Sequence, residues 1–463
     1  MAQRGGTSLA RPSPPADRSK RPKPELPDRL SALTDPLLLH ILSLLPAVDV
    51  VKTGSLSKRW PHLWPSVTSL VFRYDGSQDR KFLAFVNKTL AKSTCSDLKK
   101  LTVEVYKPES AADLDRSLNL AISKNVQDLD LNISCFDDYM GYNLPQEIYS
   151  CSSLIKLRLH ECNIVPNSII SWKLLKDLSV ENAHLPGDAI CKVSSGCPAL
   201  ETLVLRSCII MNGIEFDSKS LDKLVITGYD FRSSGDKSFL EISAPSVRSL
   251  EITGRWEKKR VRLVNMSSLV SVKLDFVQTT EEFVEDTYDD YKEQREMMFD
   301  LLASVRHVKS LTLGSWCIQV LSILEVKGVS LPRSLCKCLT VDTKMRKWEL
   351  PGIAALLQSL PDAEILVINL QSFFHSYDEF NLGTSFTRHY DFDGENYWTS
   401  RLCWVLQLKS VTIPRFWESH CSFTVSLLQV LFKNALALEK VVLNARRFDG
   451  IGHSKNSSPY DFE

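Results

Sequence analysis

One pattern, L-x-x-L-x-L, returns along most of this chain and limits its fold more than any other feature. Clear copies begin at Leu98 (LKKLTV), Val126 (VQDLDL), Leu154 (LIKLRL), Leu175 (LKDLSV), Leu200 (LETLVL), Leu221 (LDKLVI), Val247 (VRSLEI), Leu269 (LVSVKL) and Val308 (VKSLTL). Weaker copies begin at Cys336 (CKCLTV) and Ala363 (AEILVI). Most starts are 21 to 28 residues apart, and the exception is a step of 39 residues from Leu269 to Val308. The last two apolar positions of each copy alternate with polar ones, which is the period of a short strand with one side turned inward. A single copy cannot enclose a core, but stacked copies bury a continuous one.

Pattern and period together are those of leucine-rich repeats. Residues 98–370 are therefore expected to form an α/β solenoid, a horseshoe of stacked strand units. Two copies read on as LRLHECNI and LVLRSCII, which puts Cys162 and Cys208 three residues past the second strand leucine. That is an inward position of the repeat. The 12 cysteines are irregularly spaced, so reduced, packed thiols are expected rather than a disulfide framework. Cys336 and Cys338 form a close pair without a second pair or histidine cluster at zinc spacing. The long step contains EEFVEDTYDDYKEQRE, residues 281–296, with eight acidic and two basic side chains. Val284, Tyr288, Tyr291, Met298, Leu302 and Val305 fall at helical spacing, so an amphipathic helical insertion over 278–305 is expected on the convex side, acidic face outward. A calcium loop would need a glycine turn and a ligand ladder, which this stretch lacks.

The sequence before the repeats is of another kind. Residues 1–26 hold five prolines, six basic and two acidic residues and no apolar period, so a disordered arm is expected. Its run RSKRPKP has the composition of a nuclear import signal, and a solvated tail is the simpler reading. From Leu30 the composition turns apolar. Asp35 followed by Pro36 reads as a helix N-cap and first helical residue. Leu37, Ile41, Leu44 and Leu45 recur at helical spacing, and Leu38, Leu39 and Leu42 extend the apolar surface to a second face until Pro46 stops the helix. A second short helix is expected to be lined by Val48, Val51 and Leu56, and a third, LSKRWPHLW, to be interrupted by Pro61. So small a unit cannot bury this many leucines internally, so a partner or a docked domain must cover one face.

The same stretch, LPDRLSALTDPLLLHILSLLPAVDVVKTGSLSKRWPHLWPSVTSLVF, resembles a plant F-box over residues 27–72. The resemblance implies a three-helix unit whose core or adaptor-contact residues include Leu30, Leu33, Pro36, Leu37, Ile41, Leu42, Leu45, Pro46, Val50, Trp60 and Trp64. Sequence does not divide these two roles. Where the family has Leu-Pro-Asp, this chain has Leu33-Thr34-Asp35, with the proline displaced to Pro36. Residues 401–446 supply a strand, a helix and a strand, and VLFKNALALEKVVL within them resembles an FBD domain. Leu408 and Leu438 open two more repeat-like strands there, so this part is expected to close the solenoid as a cap. Residues 371–400 are expected to form a long loop whose Phe373, Phe374, Tyr377, Phe380, Tyr390, Phe392, Tyr397 and Trp398 either fold over the solenoid end or meet a partner. Residues 447–463 read as a polar tail.

The chain as a whole resembles plant F-box/leucine-rich-repeat proteins with a C-terminal FBD domain. That resemblance implies a non-catalytic, substrate-recognition subunit of an SCF-type ubiquitin ligase. Its F-box would hold a Skp-family adaptor, and through it a cullin scaffold, while the repeats and FBD hold a target protein. Two other readings remain open. One is a ligase-independent interaction scaffold that has lost the adaptor through the displaced proline. The other is a small-molecule or hormone co-receptor, for which Arg206, Lys223, Arg248 and Lys273 are the basic candidates, although they interleave with acidic residues.

Composition narrows the partners. Net charge is +1 over 463 residues, so no global field draws the chain to nucleic acid or acidic lipid. SKRW does not recur along a groove, which argues against a single-strand platform. The most apolar segment, 33–51, is broken by Asp35, Pro36, His40, Pro46 and Asp49, so neither a membrane span nor a signal peptide is expected. The expected location is intracellular, in nucleus, cytoplasm or both. No phosphate loop or nucleophile elbow occurs, and no catalytic, cofactor or metal residue is assigned. His160 with Cys162 and His420 with Cys421 are sequence neighbours that lack a third, orienting group.

Overall fold

Every copy of the repeat becomes one strand of a single sheet. The computed structural model describes residues 30, 32–74, 79–106, 110–134, 141–210, 214–228, 239–256, 260–278, 292–371, 394, 397–398, 407–416, 421–445 and 460–462. The main sheet has 15 strands whose order in space follows their order in the chain. They are β1 (Ser69–Arg73), β2 (Lys100–Tyr106), β3 (Asp128–Ser134), β4 (Lys156–His160) and β5 (Asp177–Glu181). Next come β6 (Thr202–Arg206), β7 (Lys223–Thr227), β8 (Ser249–Trp256), β9 (Ser271–Gln278) and β10 (Ser310–Leu313). The last five are β11 (Cys338–Thr343), β12 (Ile365–Leu370), β13 (Ser410–Phe416), β14 (Lys440–Ala445) and β15 (Tyr460–Phe462). Neighbours pair in parallel until β15, which lies antiparallel to β14. A parallel pair needs a crossover, and the crossovers cover one face of the sheet.

Register follows the sequence pattern. The first strand leucines stack as Leu70, Leu101, Leu129, Leu157 and Leu178, and the row runs on through Leu203, Leu224 and Leu250. All are buried, each stabilising by roughly 1.5–3 kcal/mol. A second buried row begins with Phe72, Val103, Leu131, Leu159 and Val180. The residues between the rows point to the other, open face. In four successive repeats the chain leaves the sheet through a left-handed residue: Glu161, Asn182, Ser207 and Gly228 have φ of 55°, 52°, 48° and 62°. Their N–H groups reach the next repeat's carbonyls, as in Asn182 to Arg206 at 2.9 Å and Ser207 to Thr227 at 2.7 Å. This bend turns the chain to the covered face. Cys162 and Cys208 follow it and are buried, as the repeat pattern predicts, with Cys208 Sγ 3.4 Å from the carbonyl of Val180. Burial pushes the thiols of Cys197 and Cys208 up to about 12, so both stay protonated and unreactive.

The sheet is longer than the predicted 98–370. VTSLVF, the last part of the stretch that resembles an F-box, has the repeat spacing and supplies β1, which pairs with β2. Strands at Ser410–Phe416 and Lys440–Ala445 fall where Leu408 and Leu438 predict them. Tyr460–Phe462, within the predicted polar tail, adds a strand. On the covered face lie helices and short strand pairs. Helices α1 (Asp35–Ser43), α2 (Ala47–Lys52) and α3 (Trp60–Leu63) precede the sheet. The crossover helices are α4 (Asp79–Lys92), α5 (Ala111–Ser123), α6 (Ala189–Gly196), α7 (Lys292–Ser304), α8 (Ser315–Val326), α9 (Leu350–Ser359) and α10 (Cys421–Asn434). In the insertion, α7 buries Met298 and Leu302, and Val305 beyond it is also buried, as predicted, while residues 279–291 lie outside the described residues. In 371–400, Tyr397 and Trp398 are buried in the common core, edge to face with ring centroids 5.3 Å apart. The other six aromatics predicted there, and residues 1–26, lie outside the described residues.

Candidate functional site

Helix α1 divides its leucines between two faces. Leu38 and Leu42 are fully buried and join Ala47 and Val50 of α2 with Trp60, Leu63 and Trp64 in one core. Leu37 and Leu44 are 53% and 73% exposed, and Leu56, in the turn after α2, is 62% exposed. Leu30, Val48, Pro36 and Pro46 are exposed as well, and Leu33, Ile41 and Leu45 are partly buried. The predicted residues thus separate. Leu42, Val50, Trp60 and Trp64 are core, and Leu30, Pro36, Leu37 and Pro46 face solvent. Leu33, Ile41 and Leu45 lie at the boundary. Leu38 belongs with the core and Leu44 and Leu56 with the surface. Both stripes of α1 have helical spacing, so the pattern does not show which one turns inward.

Several local expectations are corrected. The helix cap is Thr34, extended at φ −70° and ψ 153°, and Asp35 begins the first turn. Pro36 sits at the helix start, where no N–H is needed, so the displaced proline leaves α1 intact. Asp35 is thereby free to accept from Arg59, whose Nε is 2.8 Å away and whose Nη2 also reaches the same oxygen. This ion pair ties the LTDP corner to the LSKRW turn, while Lys58 remains exposed. Val48 and Leu56, expected to line the second helix, are exposed because Ala47 and Val50 take the inward positions. Pro61 starts α3 rather than interrupting it.

The helical unit is fused to the first repeat. The carbonyl of Pro65 accepts from the N–H of Thr94 at 2.8 Å and from Ser93 Oγ at 3.1 Å. Trp64 and Val67 share a core with Leu70 and Phe72 of β1. No hinge separates the apolar surface from the sheet.

The open sheet face carries a ladder of opposite charges over its first half. Arg158 lies 2.9 Å from Asp128 and 3.9 Å from Asp130, and Lys156 lies 3.1 Å from Asp177. Farther along, Lys273 lies 3.4 Å from Glu251. The four cations considered for a basic pocket do not converge. Arg206 and Lys223 stand at opposite ends of adjacent strands, and Arg248 lies 3.8 Å from Asp222. His160 lies between Glu161 and Glu181 at 3.6 and 3.8 Å, and the thiol of Cys162 donates to its backbone carbonyl, so the two are not a nucleophile and base. His420 is outside the described residues. Among the described residues no three His, Cys, Asp or Glu side chains come together as metal ligands, and no helix is long and apolar enough to cross a membrane.

Two family models match the chain. An F-box domain matches residues 30–72, and a leucine-rich-repeat domain described as At1g61320/AtMIF1 matches residues 89–459. The chain is a plant F-box/leucine-rich-repeat protein. Among its relatives in Arabidopsis thaliana, F-box/LRR-repeat protein At3g03360 is 30% identical over 358 residues, covering 74% of this chain and 71% of that one. Putative F-box/LRR-repeat protein At3g18150 is 28% identical over 426 residues, 90% of this chain and 87% of that one. F-box/LRR-repeat protein At5g02910 is 26% identical over 437 residues, 92% and 90%. Helices α1–α3 and the apolar surface thus lie within the F-box match. The repeat match covers β13, α10 and β14 as well.

Proposed function

We propose that this protein is the substrate-recognition subunit of an SCF-type ubiquitin ligase. The F-box holds a Skp-family adaptor, and through it a cullin scaffold, and the open sheet face holds a target protein. The chain itself is non-catalytic. It supplies proximity, raising the effective concentration of target near a ubiquitin-charged enzyme carried by other subunits. One observation carries this reading: the F-box closes its core with Leu38, Leu42, Val50, Trp60 and Trp64, yet leaves Leu37, Leu44 and Leu56 in water. Apolar residues in excess of the core's need mark a surface that a partner covers. The fusion of F-box to solenoid suits the role, because it fixes the distance between adaptor and target. Residues 401–446 are read as an FBD-type cap, and residence is in nucleus, cytoplasm or both.

The displaced proline favours a second reading, a scaffold that no longer binds the adaptor. Co-elution of the full chain with a purified Skp-family adaptor on a sizing column separates the two. A shared peak at micromolar concentration is expected. Two separate peaks, merging only when Thr34→Pro and Pro36→Glu are introduced, would establish the scaffold instead. The full chain is needed because β1 pairs with β2, so a fragment ending near residue 75 would strip the F-box of its support.

A further inference from the structure

The open face of the sheet changes character at β10. Over β2 to β9 several of its charges meet opposite charges on neighbouring strands, as Arg158 meets Asp128 and Lys273 meets Glu251. Over β10 to β12 the positions on this face are Ser310, Thr312 and Gly314, then Cys338, Thr340 and Asp342, then Ile365, Val367 and Asn369. No cation is among them. The surface is one of hydroxyl and β-branched side chains, and Ile365 is exposed. An extended segment lies well on such a surface.

Two carboxylates border it. Asp275 in the middle of β9 and Asp342 near the end of β11 flank β10, where Gly314 stands in the same row. Strands are about 4.8 Å apart, so the two aspartates come from backbones about 10 Å apart with no side chain between them. The gap is used on one side only. A Cβ at Gly314 would lie 1.7 Å from Asp275 Oδ1, so the Asp275 carboxylate leans over the glycine toward Asp342. Among the described residues neither carboxylate has a cation within 4.0 Å. Lys273, the cation nearest Asp275 on its own strand, is held by Glu251 at 3.4 Å. Asp342 accepts from a neutral donor, the Asn369 amide at 2.7 Å. Burial, with Asp342 and Glu251 adding and Lys273 opposing, pushes the Asp275 carboxyl up to about 6.

We propose that the open face of β9 to β12 is where the target docks, as an extended segment of β-branched and hydroxyl side chains whose arginine or lysine enters between Asp275 and Asp342 above Gly314. This rests on the reading that the sheet face receives the target, and it adds which half of the face is used and what chemistry the target brings. Charge complementarity argues for the cation. In the first half carboxylates such as Asp128 and Asp177 have a cation on a neighbouring strand, and here two carboxylates share one row with no cation within 4.0 Å among the described residues. A guanidinium has donors enough for both carboxylates.

The probe is a labelled, capped nine-residue peptide of alternating valine and threonine with a central arginine, compared with the same peptide carrying central leucine. Binding to the full chain is read by fluorescence anisotropy at pH 7.5. The arginine peptide is expected to bind ~10-fold or more tightly than the leucine one, the strength of a charge-assisted pair. Asp275→Asn with Asp342→Asn should abolish that preference, while Asp128→Asn, in the internally paired ladder, should keep it. A thermal melt of each variant excludes unfolding as the cause, and Asp342→Asn alone should lose part of the preference. Equal binding of the two peptides, no binding of either, or retention of the preference in the double variant would overturn the proposal. So would competition by free spermidine as strong as by the peptide, since the face would then select an amine rather than a protein segment. Adaptor co-elution of the same preparations is scored in parallel. If it survives while the peptides fail, only the docking proposal falls; if it fails, the ligase reading falls.

Discussion

The division of α1 into a core stripe and a surface stripe makes the sharpest prediction. Leu42→Ala removes a fully buried side chain from a core shared with Trp60 and Trp64. Large-to-small changes at such sites cost about 2–5 kcal/mol, most when neighbours cannot collapse into the space. Two tryptophans and the adjoining sheet leave little room to collapse. Leu44→Ala, two residues on, removes a side chain that is 73% exposed. It should change stability by no more than about 0.5 kcal/mol. Binding should show the reverse order. Covering Leu37 and Leu44 would remove much of their exposed apolar area from water, so the double alanine variant is expected to weaken adaptor binding ~10-fold or more. Long repeat arrays need not unfold in one step, so a global midpoint would not isolate the F-box. Amide hydrogen exchange in residues 35–63 reports the F-box alone. Leu42→Ala should speed exchange through α1 to α3, and Leu37→Ala with Leu44→Ala should leave it unchanged. If Leu44→Ala loosens these helices as much as Leu42→Ala, or if the surface variant binds adaptor like the wild type, the assignment of the two stripes is wrong.

Two further outcomes test the solenoid. Asp275 holds its proton more tightly folded than unfolded, because burial and then the Asp342 carboxylate push its pKa up from 3.8 to about 6. Its contribution is therefore fully favourable below the unfolded value and is lost as pH rises through about 6. Asp275→Asn is expected to raise the melting temperature at pH 7.5, by at most about 3 kcal/mol of stability, and to be neutral near pH 4; a destabilised variant at pH 7.5 would contradict the burial argument. At Gly352 an added Cβ would meet the Ile318 carbonyl oxygen at 2.1 Å, because α9 crosses α8 there at close range. Gly352→Ala should cost about 1–3 kcal/mol by overpacking, seen as a lower urea midpoint for the second half of the sheet.

Much of the fold could be read from spacing. A strand forms at every predicted copy from Leu98 to Ala363, and the repeat also foretold the strands after Leu408 and Leu438. The inward cysteines at 162 and 208 followed from the same period. The first strand was missed because VTSLVF runs straight out of the F-box resemblance, and the better-known motif absorbed it. The F-box surface was legible as a set of leucines and illegible as a surface. Position along a helix gives the angle between side chains but not the direction of the core.

What the sequence determined by itself was the architecture. A strand-length apolar pattern at a fixed period can be satisfied only by stacking, so sheet, register and buried rows follow from local order. Tertiary structure decided everything that depends on neighbours distant in the chain. Arg59 meets Asp35 across 24 residues, and Gly314 leaves a gap between carboxylates that lie 67 residues apart, at positions 275 and 342. Whether a leucine is core or contact, and whether a charge is paired or open, depends on what packs beside it in space. Leu37 and Leu38 are neighbours of the same residue type, and only the packing of Trp60 and Trp64 makes one of them core and leaves the other in water.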